Sequence, residues 1–563
     1  MVTSLHARVL HVSVNGTSNG DGSAERPLRT IQSALDQAGA GDTILVSPGV
    51  YQERVKFKRG GEFGKPLILE GQPGAVIDGS NPVNTKWEPA FDVAPGVYRI
   101  KLDFEPFTIT ADGKGVTLLD ENRVGTEKDR GSAWHPDSLF KNGIEGRWSG
   151  VGALTMWRHK TKDLIIRFDG MKDPRQMKFT FAPREPVVLV EGVDRVVLRG
   201  LEIRNGSYGV FVKKSLGTVV ENCNIIHDFG IWLDSETDRC TLRFNQITLN
   251  ALGVLNPKKK VESWDNWTAH KRGGFYDRHG INLRCTIGGH EIHDNTIDGH
   301  WNGIHDMNWM SYPMDEASRD ANIEMNKGLR VHHNLIMNLT DDALEPNSGA
   351  IDSHWHHNMV INVRCAVRIK GIDRGPLYVY RNIFIGNNED LRNYGAKELR
   401  RAVAYVYHNT CTSLSAINDN KIQGIGVPDI HFYNNLFLTG RWWGNLESME
   451  PNWKSDYNVF VLRTESKNWK SGIELATRLD KEQHSLWHEG PVGLFVENYE
   501  QRDFRLTADS PARKRGIDLS KIYDGKLPGT GPGYFTGELP MWEPCPMASR
   551  CYRSRVNLRL YPI

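Results

Sequence analysis

Three things are scarce in these 563 residues: long apolar runs, net charge and paired cysteines. No stretch of 18 apolar residues occurs, so no membrane-spanning helix is expected and no membrane partner. Lys plus Arg is 70 against 68 Asp plus Glu, a formal charge of +2. That balance argues against a nucleic-acid-binding surface, while leaving room for a local basic patch facing a sulfate or carboxylate. The seven cysteines form no CxxC pair. Cys223, Cys240, Cys285, Cys365 and Cys411 read as small buried thiols, and Cys545 and Cys551 are close enough for a local disulfide in a secreted protein. The opening MVTSLHARVLHVSVNG lacks the charged, apolar and small-residue regions of a secretory signal. A secreted or periplasmic protein with its signal removed is the expectation, with a cytoplasmic protein as the alternative. Nothing in the sequence sets the oligomeric state.

What the chain does have is repetition. After a Gly/Asp/Ser-rich start, Ile31, Ala34, Leu35 and Ala38 are spaced for one apolar face of a short helix over Thr30 to Ala38. Thr43 to Val46 reads as a strand and Pro48-Gly49 as a turn. A helix there would cap the open apolar end of a solenoid. From residue 196 an Asn-x-apolar pattern recurs at Asn245, Asn295, Asn334, Asn358, Asn382, Asn409 and Asn435, the last five separated by 24, 24, 27 and 26 residues. Cys223 holds the same place one coil earlier. A period in the twenties built from short strands signals a parallel β-helix or a leucine-rich repeat, and the LxxLxLxxN consensus of the latter is absent. At a turn, Asn can take a left-handed conformation and bond the backbone or the Asn of the next coil. The expected fold is all-β: a right-handed parallel β-helix (solenoid) with an N-terminal capping helix and long side loops. It spans 1–520, with an irregular excursion at about 87–180 and insertions at about 251–276 and 309–326. Residues 521–563 form a non-repetitive tail packed on the solenoid.

Laying one strand of each coil on the next aligns GVFVK, GIWLD, GINLR, GIHDM, DALEP and CAVRIK. Alternation sends Val210, Ile231, Ile281, Ile304, Leu344 and Val367 inward. It sends Phe211, Trp232, Asn282, His305, Glu345 and Arg368 outward, with Lys213, Asp234, Arg284 and Lys370 in the next outward column. Just before these strands lie His279, Asn302, Asp341 and Asp342. The insertions and their flanks add Trp264, Trp267, Trp301, Trp309 and Tyr312, aromatic faces of the kind that hold sugar rings.

Glycoside hydrolysis needs one protonated carboxylic acid and a second carboxylate. Asp342 and Glu345, then Asp341, are the expected catalytic residues, with a turn before Ala343 bringing Asp342 beside Glu345. His279, His305, Asp306, Asn282, Trp232, Trp301 and Trp309 are the expected substrate-binding groups, and Arg368 and Lys370 would contact a hydroxyl-rich or anionic sugar. The partner is a polysaccharide or oligosaccharide. The competing enzyme is a lyase that β-eliminates a uronate, with Arg368 or Lys370 neutralising the carboxylate and His305, His279 or Lys370 as base. No cofactor is required by either reading; Ca²⁺ on Asp341, Asp342 and Glu345 is the one cation considered, without a calcium-loop spacing to support it. A non-catalytic adhesin-like β-helix is the third reading, and it would show plain polar ladders without aromatic insertions beside a charged cluster.

The segment GDGSAERPLRTIQSALDQAGAGDTILVSPGVYQE and the Asn-x-apolar coils resemble the pectate-lyase-like superfamily of right-handed β-helix proteins, over roughly residues 12–520. That resemblance implies the fold and a carbohydrate-active role, since the superfamily holds polysaccharide lyases, glycoside hydrolases, epimerases and phage tailspikes. Asp341-Asp342 and Arg368-Ile369-Lys370 are similar to the double-Asp and Arg-Ile-Lys motifs of polygalacturonase-like hydrolases. This implies acid/base roles for the two Asp and sugar-carboxylate contacts for Arg368 and Lys370. The Asn-Thr-Asp and Gly-His-Gly motifs of that family have no counterpart here.

Overall fold

Short strands with one buried face and polar turns leave the chain one economical solution, which is to coil and stack. The computed structural model describes residues 7–84, 86–120, 140–141, 151–226, 229–252, 277–307, 325–347, 350–370, 375–387, 389–394, 403–412, 417–419, 429–438, 453–462 and 469–522. They fall into two units, 1–349 and 350–563. Most of both expected insertions, Trp264, Trp267, Trp309, Tyr312, and the pair Cys545 and Cys551 lie outside the described residues. Among the described residues no helix is long and apolar enough to cross a membrane.

The first unit is a parallel β-helix in which successive coils add one strand to each of three parallel sheets. The capping helix, Ile31–Leu35, starts where the sequence suggests, with the Thr30 side chain accepting from the Ser33 amide, but it ends sooner, with Asp36 as its C-cap. Its buried face is Ile31, Ala34 and Leu35. Leu67–Gly71 pairs directly with Val196–Arg199, and Ala75–Asp78 with Glu202–Arg204. The residues between are therefore inserted between two neighbouring coils. They form a mostly antiparallel five-stranded sheet and a three-stranded antiparallel sheet. A core of Trp87, Ile100, Ile109, Trp157, Leu164, Ile166, Phe168 and Phe181 holds them together.

The second unit repeats the plan from Ser353–His356 and Met359–Ile361 onward, with parallel pairing throughout its coils. Its last coils are joined by the helix Trp469–Arg478 and a short antiparallel pair, Val496–Asn498 with Asp503–Leu506.

A buried Asn ladder runs inside each unit. In the first, the Asn245 side-chain amide donates to Asn295 Oδ1 at 3.0 Å, and Asn295 donates to Asn334 Oδ1 at 3.0 Å. In the second the chain of bonds is Asn358, Asn382, Asn409, Asn435 and Asn458, at 3.0–3.1 Å. Each Oδ1 also accepts the backbone N–H of the preceding ladder residue, as Asn382 Oδ1 does from Asn358. Cys223 takes part through its backbone alone, donating to Asn245 Oδ1 at 3.0 Å. The left-handed residue, however, is the one before each Asn: Phe244, Asp294, His333, His357, Arg381, His408, Asn434 and Tyr457 all have φ between 54° and 57°. The Asn itself is spent on hydrogen bonds, and its neighbour carries the strain of the turn.

The second ladder ends on a carboxyl. Asn458 donates to Glu482 Oε2 at 3.0 Å, Ser485 donates to the same oxygen at 2.5 Å, and the Ser455 hydroxyl bonds Oε1. Burial raises the Glu482 pKa to about 7, outweighing these hydrogen bonds. All five cysteines of the repeats are free and buried. Burial lifts the Cys223 and Cys240 thiols to about 12, which makes them inert packing groups.

Two outcomes follow. Asn382→Ala removes the acceptor of two Asn358 donors, so the full chain should lose about 2–4 kcal/mol in urea unfolding, against a few tenths for an exposed Asn→Ala control. Because the folded pKa of Glu482 is raised from 4.5 to about 7, its stabilising contribution is full below pH 4.5 and is lost as pH rises through about 7. The unfolding midpoint of the wild-type chain should fall across that window, and less so in Glu482→Gln.

Candidate functional site

The site lies in the first unit, on the sheet containing Tyr208–Lys213, Phe229–Leu233, His279–Arg284, Asn302–Met307 and Asp342–Pro346. The pairing register matches the sequence alignment. Ile231, Ile281, Ile304 and Leu344 stack in one column, and Trp232, Asn282, His305 and Glu345 in the next.

A local break in alternation adds a further outer column on the N-terminal side of these strands. A Cβ on Gly280 would lie 2.5 Å from Ile297 Cγ2, so Gly280 faces the interior, as fully buried Ile281 does. Two successive inward residues put His279 and Asn282 on the same outer face. Gly230 and Gly303 repeat the device: their Cβ atoms would come within 2.3 Å of the carbonyl oxygens of Gly280 and Ala343. His279 pairs with Asn302, and the Asp342 amide donates to Asn302 Oδ1 at 3.1 Å. Asp342 therefore continues the His279 column from within its strand, and the expected turn before Ala343 is replaced by this slip of phase.

The His279 and His305 rings lie 4.5 Å apart, with His279 Nε2 3.3 Å from His305 Nδ1. His305 Nε2 is 3.7 Å from Glu345 Oε2 and 2.7 Å from the side-chain nitrogen of Asn347. One donor atom from each of His279, His305 and Glu345 falls within 4.8 Å of the other two. These groups are deeply buried: His279 is 3% exposed, Asn282 1%, His305 9%, Asp342 0% and Glu345 1%. Burial, reinforced by His305, holds the His279 imidazole well below its ordinary 6.5, so it is neutral near pH 7. Two imidazoles beside a carboxylate suit a first-row divalent cation rather than Ca²⁺, which prefers oxygen ligands.

Toward the N-terminal coils the same face is aromatic. Tyr208 stacks on Phe229 at 5.0 Å, and Phe211 is parallel to Trp232 at 6.4 Å. The Arg278 guanidinium lies 4.1 Å from the Phe107 ring centroid and 4.8 Å from that of Phe229. Trp232 has its own N–H committed, 3.2 Å from Asp234 Oδ2, and Arg284 pairs with the same oxygen at 2.5 Å.

Four of the remaining expected residues are Asp306, Trp301, Arg368 and Lys370, and the fifth is Trp309. Asp306 stacks with Leu283, out of the His305 column, and Asn326 donates to its Oδ1 at 2.5 Å. Trp301 is fully buried before its strand, where its carbonyl accepts the Asp341 amide at 2.8 Å. Arg368 and Lys370 belong to the second unit, in a strand whose register sets Arg368 against Arg392 and Lys370 against Tyr394. Trp309 lies outside the described residues. Asn347 was not anticipated as a site residue, although its spacing two beyond Glu345 repeats the outward period. Phe229 and Tyr208 were likewise missed, because only the phase slip at the glycines puts them on this face.

Comparison with known proteins gives short or distant matches. Residues 14–63 match a family model described as a protein of unknown function, DUF1565. The uncharacterized protein YwoF of Bacillus subtilis is 35% identical over 81 residues, 14% of this chain and 17% of that protein. The pectate lyase PEL9 of Emericella nidulans is 34% identical over 74 residues, 12% of this chain and 18% of that one. The chain thus aligns with less than a fifth of either relative's length. Among solved structures, a complex of XylC with xylose is 16% identical with a TM-score of 0.46, covering 85% of this chain and 86% of that one. The pectate lyase Pel9A is 13% identical with a TM-score of 0.39, covering 95% and 97%.

Proposed function

We propose that the protein is a carbohydrate-active enzyme that hydrolyses a polysaccharide or oligosaccharide on this face of its first unit. The observation that carries the reading is the strand register, which stacks Glu345 on His305, with the Asp342 amide bonded to Asn302 of the His279 column and His279 in contact with His305. In this reading Asp342 protonates the leaving glycosidic oxygen. Glu345, beside His305, takes a proton from the water that attacks the anomeric carbon, so the glycosidic C–O bond breaks with one proton given and one received. The aromatic columns of Tyr208, Phe211, Phe229 and Trp232 offer C–H-binding faces to the sugar, and Asn282 offers hydrogen bonds to its hydroxyls.

The neutral His279 supports a second reading, β-elimination of a uronate with that imidazole as base. One assay separates the two. The protein is incubated with neutral, uronic and sulfated polysaccharides while reducing ends and ultraviolet absorbance are followed together. Hydrolysis gives new reducing ends without absorbance, and unsaturated products overturn it in favour of elimination. Asp342→Asn and Glu345→Gln should each lower the turnover rate by about 10²-fold or more with the fold intact; near-wild-type rates in both would remove these residues from the chemistry.

A further inference from the structure

We infer that His279, His305 and Glu345 form a binding site for one first-row divalent metal ion, with zinc as the best-suited cation. The inference adds a ligand to the site of the proposed hydrolase but rests on the donor geometry alone. The separation of 3.3 Å between His279 Nε2 and His305 Nδ1 is the first support. Two imidazole nitrogens about 2.0–2.1 Å from a tetrahedral zinc stand about 3.3 Å apart. Glu345 brings a carboxylate to the same cluster: one donor atom from each of the three side chains lies within 4.8 Å of the other two, and Glu345 Oε2 is 3.7 Å from His305 Nε2. Two nitrogens and a carboxylate oxygen are the donor set of open zinc sites and of other first-row centres that keep positions for water or substrate.

Two further side chains point the same way. Asn282 is 1% exposed, pairs with His305 across the sheet, and has neither its amide nitrogen nor its oxygen hydrogen-bonded. His279 Nδ1 is likewise buried without a partner. Such groups cost about 1–3 kcal/mol each when left unmet, so Asn282 is suited to bond a water or sugar hydroxyl held on the cation. Asn347 lies 2.7 Å from His305 Nε2; with its amide turned over, its otherwise unmet oxygen would accept the Nε2–H and fix the ring with Nδ1 free for a cation.

A cation held there would take Glu345 as a ligand in place of its role as base and would supply an acidified water whose proton passes to solvent, while Asp342 would keep its place as the acid. The remaining His clusters serve as internal controls. His332 and His333 make a pair with their Nδ1 atoms 2.8 Å apart, but no carboxylate joins them to form a three-donor set among the described residues.

The test uses the full chain, stripped with chelator and dialysed against Zn²⁺ or Co²⁺. Expected are one bound cation per chain by elemental analysis and a visible Co²⁺ spectrum of a four- or five-coordinate site. Affinity should fall about 10²-fold or more in His279→Ala, His305→Ala and Glu345→Ala, and about 10–100-fold in Asn347→Ala. His332→Ala with His333→Ala should leave it unchanged. Should the ligand variants not fold, X-ray absorption on the wild-type Zn²⁺ complex decides the matter by finding at least two imidazole nitrogens. Fewer than two, sub-stoichiometric uptake, or equal affinity in folded ligand variants overturns the site. Stoichiometric binding without glycan cleavage would instead overturn the hydrolytic reading and leave the metal site standing.

Discussion

The structure depends on a hydrogen bond that each coil makes to the next through a buried Asn. Each coil of a solenoid touches only its neighbours, and a one-residue slip would turn every inward side chain outward. The Asn ladders oppose that slip. Each Oδ1 takes both a backbone N–H and a side-chain amide from the preceding ladder residue, and each amide also reaches a backbone carbonyl, as Asn295 does to Leu242 at 2.9 Å. Shifting the register would leave several buried polar groups unmet at every rung, a cost that grows with the number of coils. The left-handed residue before each Asn, usually a large side chain here, is tolerated because the ladder over-determines the turn.

The site is a consequence of that register plus one local exception to it. Strict alternation gives the Trp232–Asn282–His305 column and the one two residues beyond it, but would turn His279 away from them. At Gly230, Gly280 and Gly303 a side chain would collide with a neighbouring backbone or with Ile297, so two successive residues turn inward and a further outer column results. Aromatic rings fill both columns at one end and His, Asn and carboxylate groups fill them at the other. The polar end sits in a setting dry enough to keep His279 neutral, which makes its lone pair available to a proton or a cation. Binding area and reactive groups therefore share one rigid face.

Much of this was legible in the sequence because both periods, about 25 residues between coils and two within a strand, are written in residue type. The Asn repeat announced the coils. Alternation announced the Trp232, Asn282, His305 and Glu345 column, and the pairing register agrees with it. What was not legible involves side chains whose place depends on the third dimension. Asp306 looked like a fourth carboxylate, yet it shares the Leu283 column and bonds Asn326. Asp342 was expected to need a turn, and a glycine-led slip of phase does the work without one. The left-handed position was assigned to Asn when it belongs to the residue before it. The closeness of His279 to His305 could not be read at all, since alternation alone places residues 279 and 282 on opposite faces.

The joining of the aromatic columns to the polar ones rests on the register across the strands on either side of residues 253–276. Disulfide trapping tests it directly. Paired residues of parallel strands stand about 4.8 Å apart, within the Cα range of about 4.4–6.8 Å that a disulfide spans. The account predicts that a Trp232→Cys, Asn282→Cys chain crosslinks on mild oxidation, while a Trp232→Cys, Arg284→Cys chain does not. Crosslinking of the second pair in place of the first would contradict it.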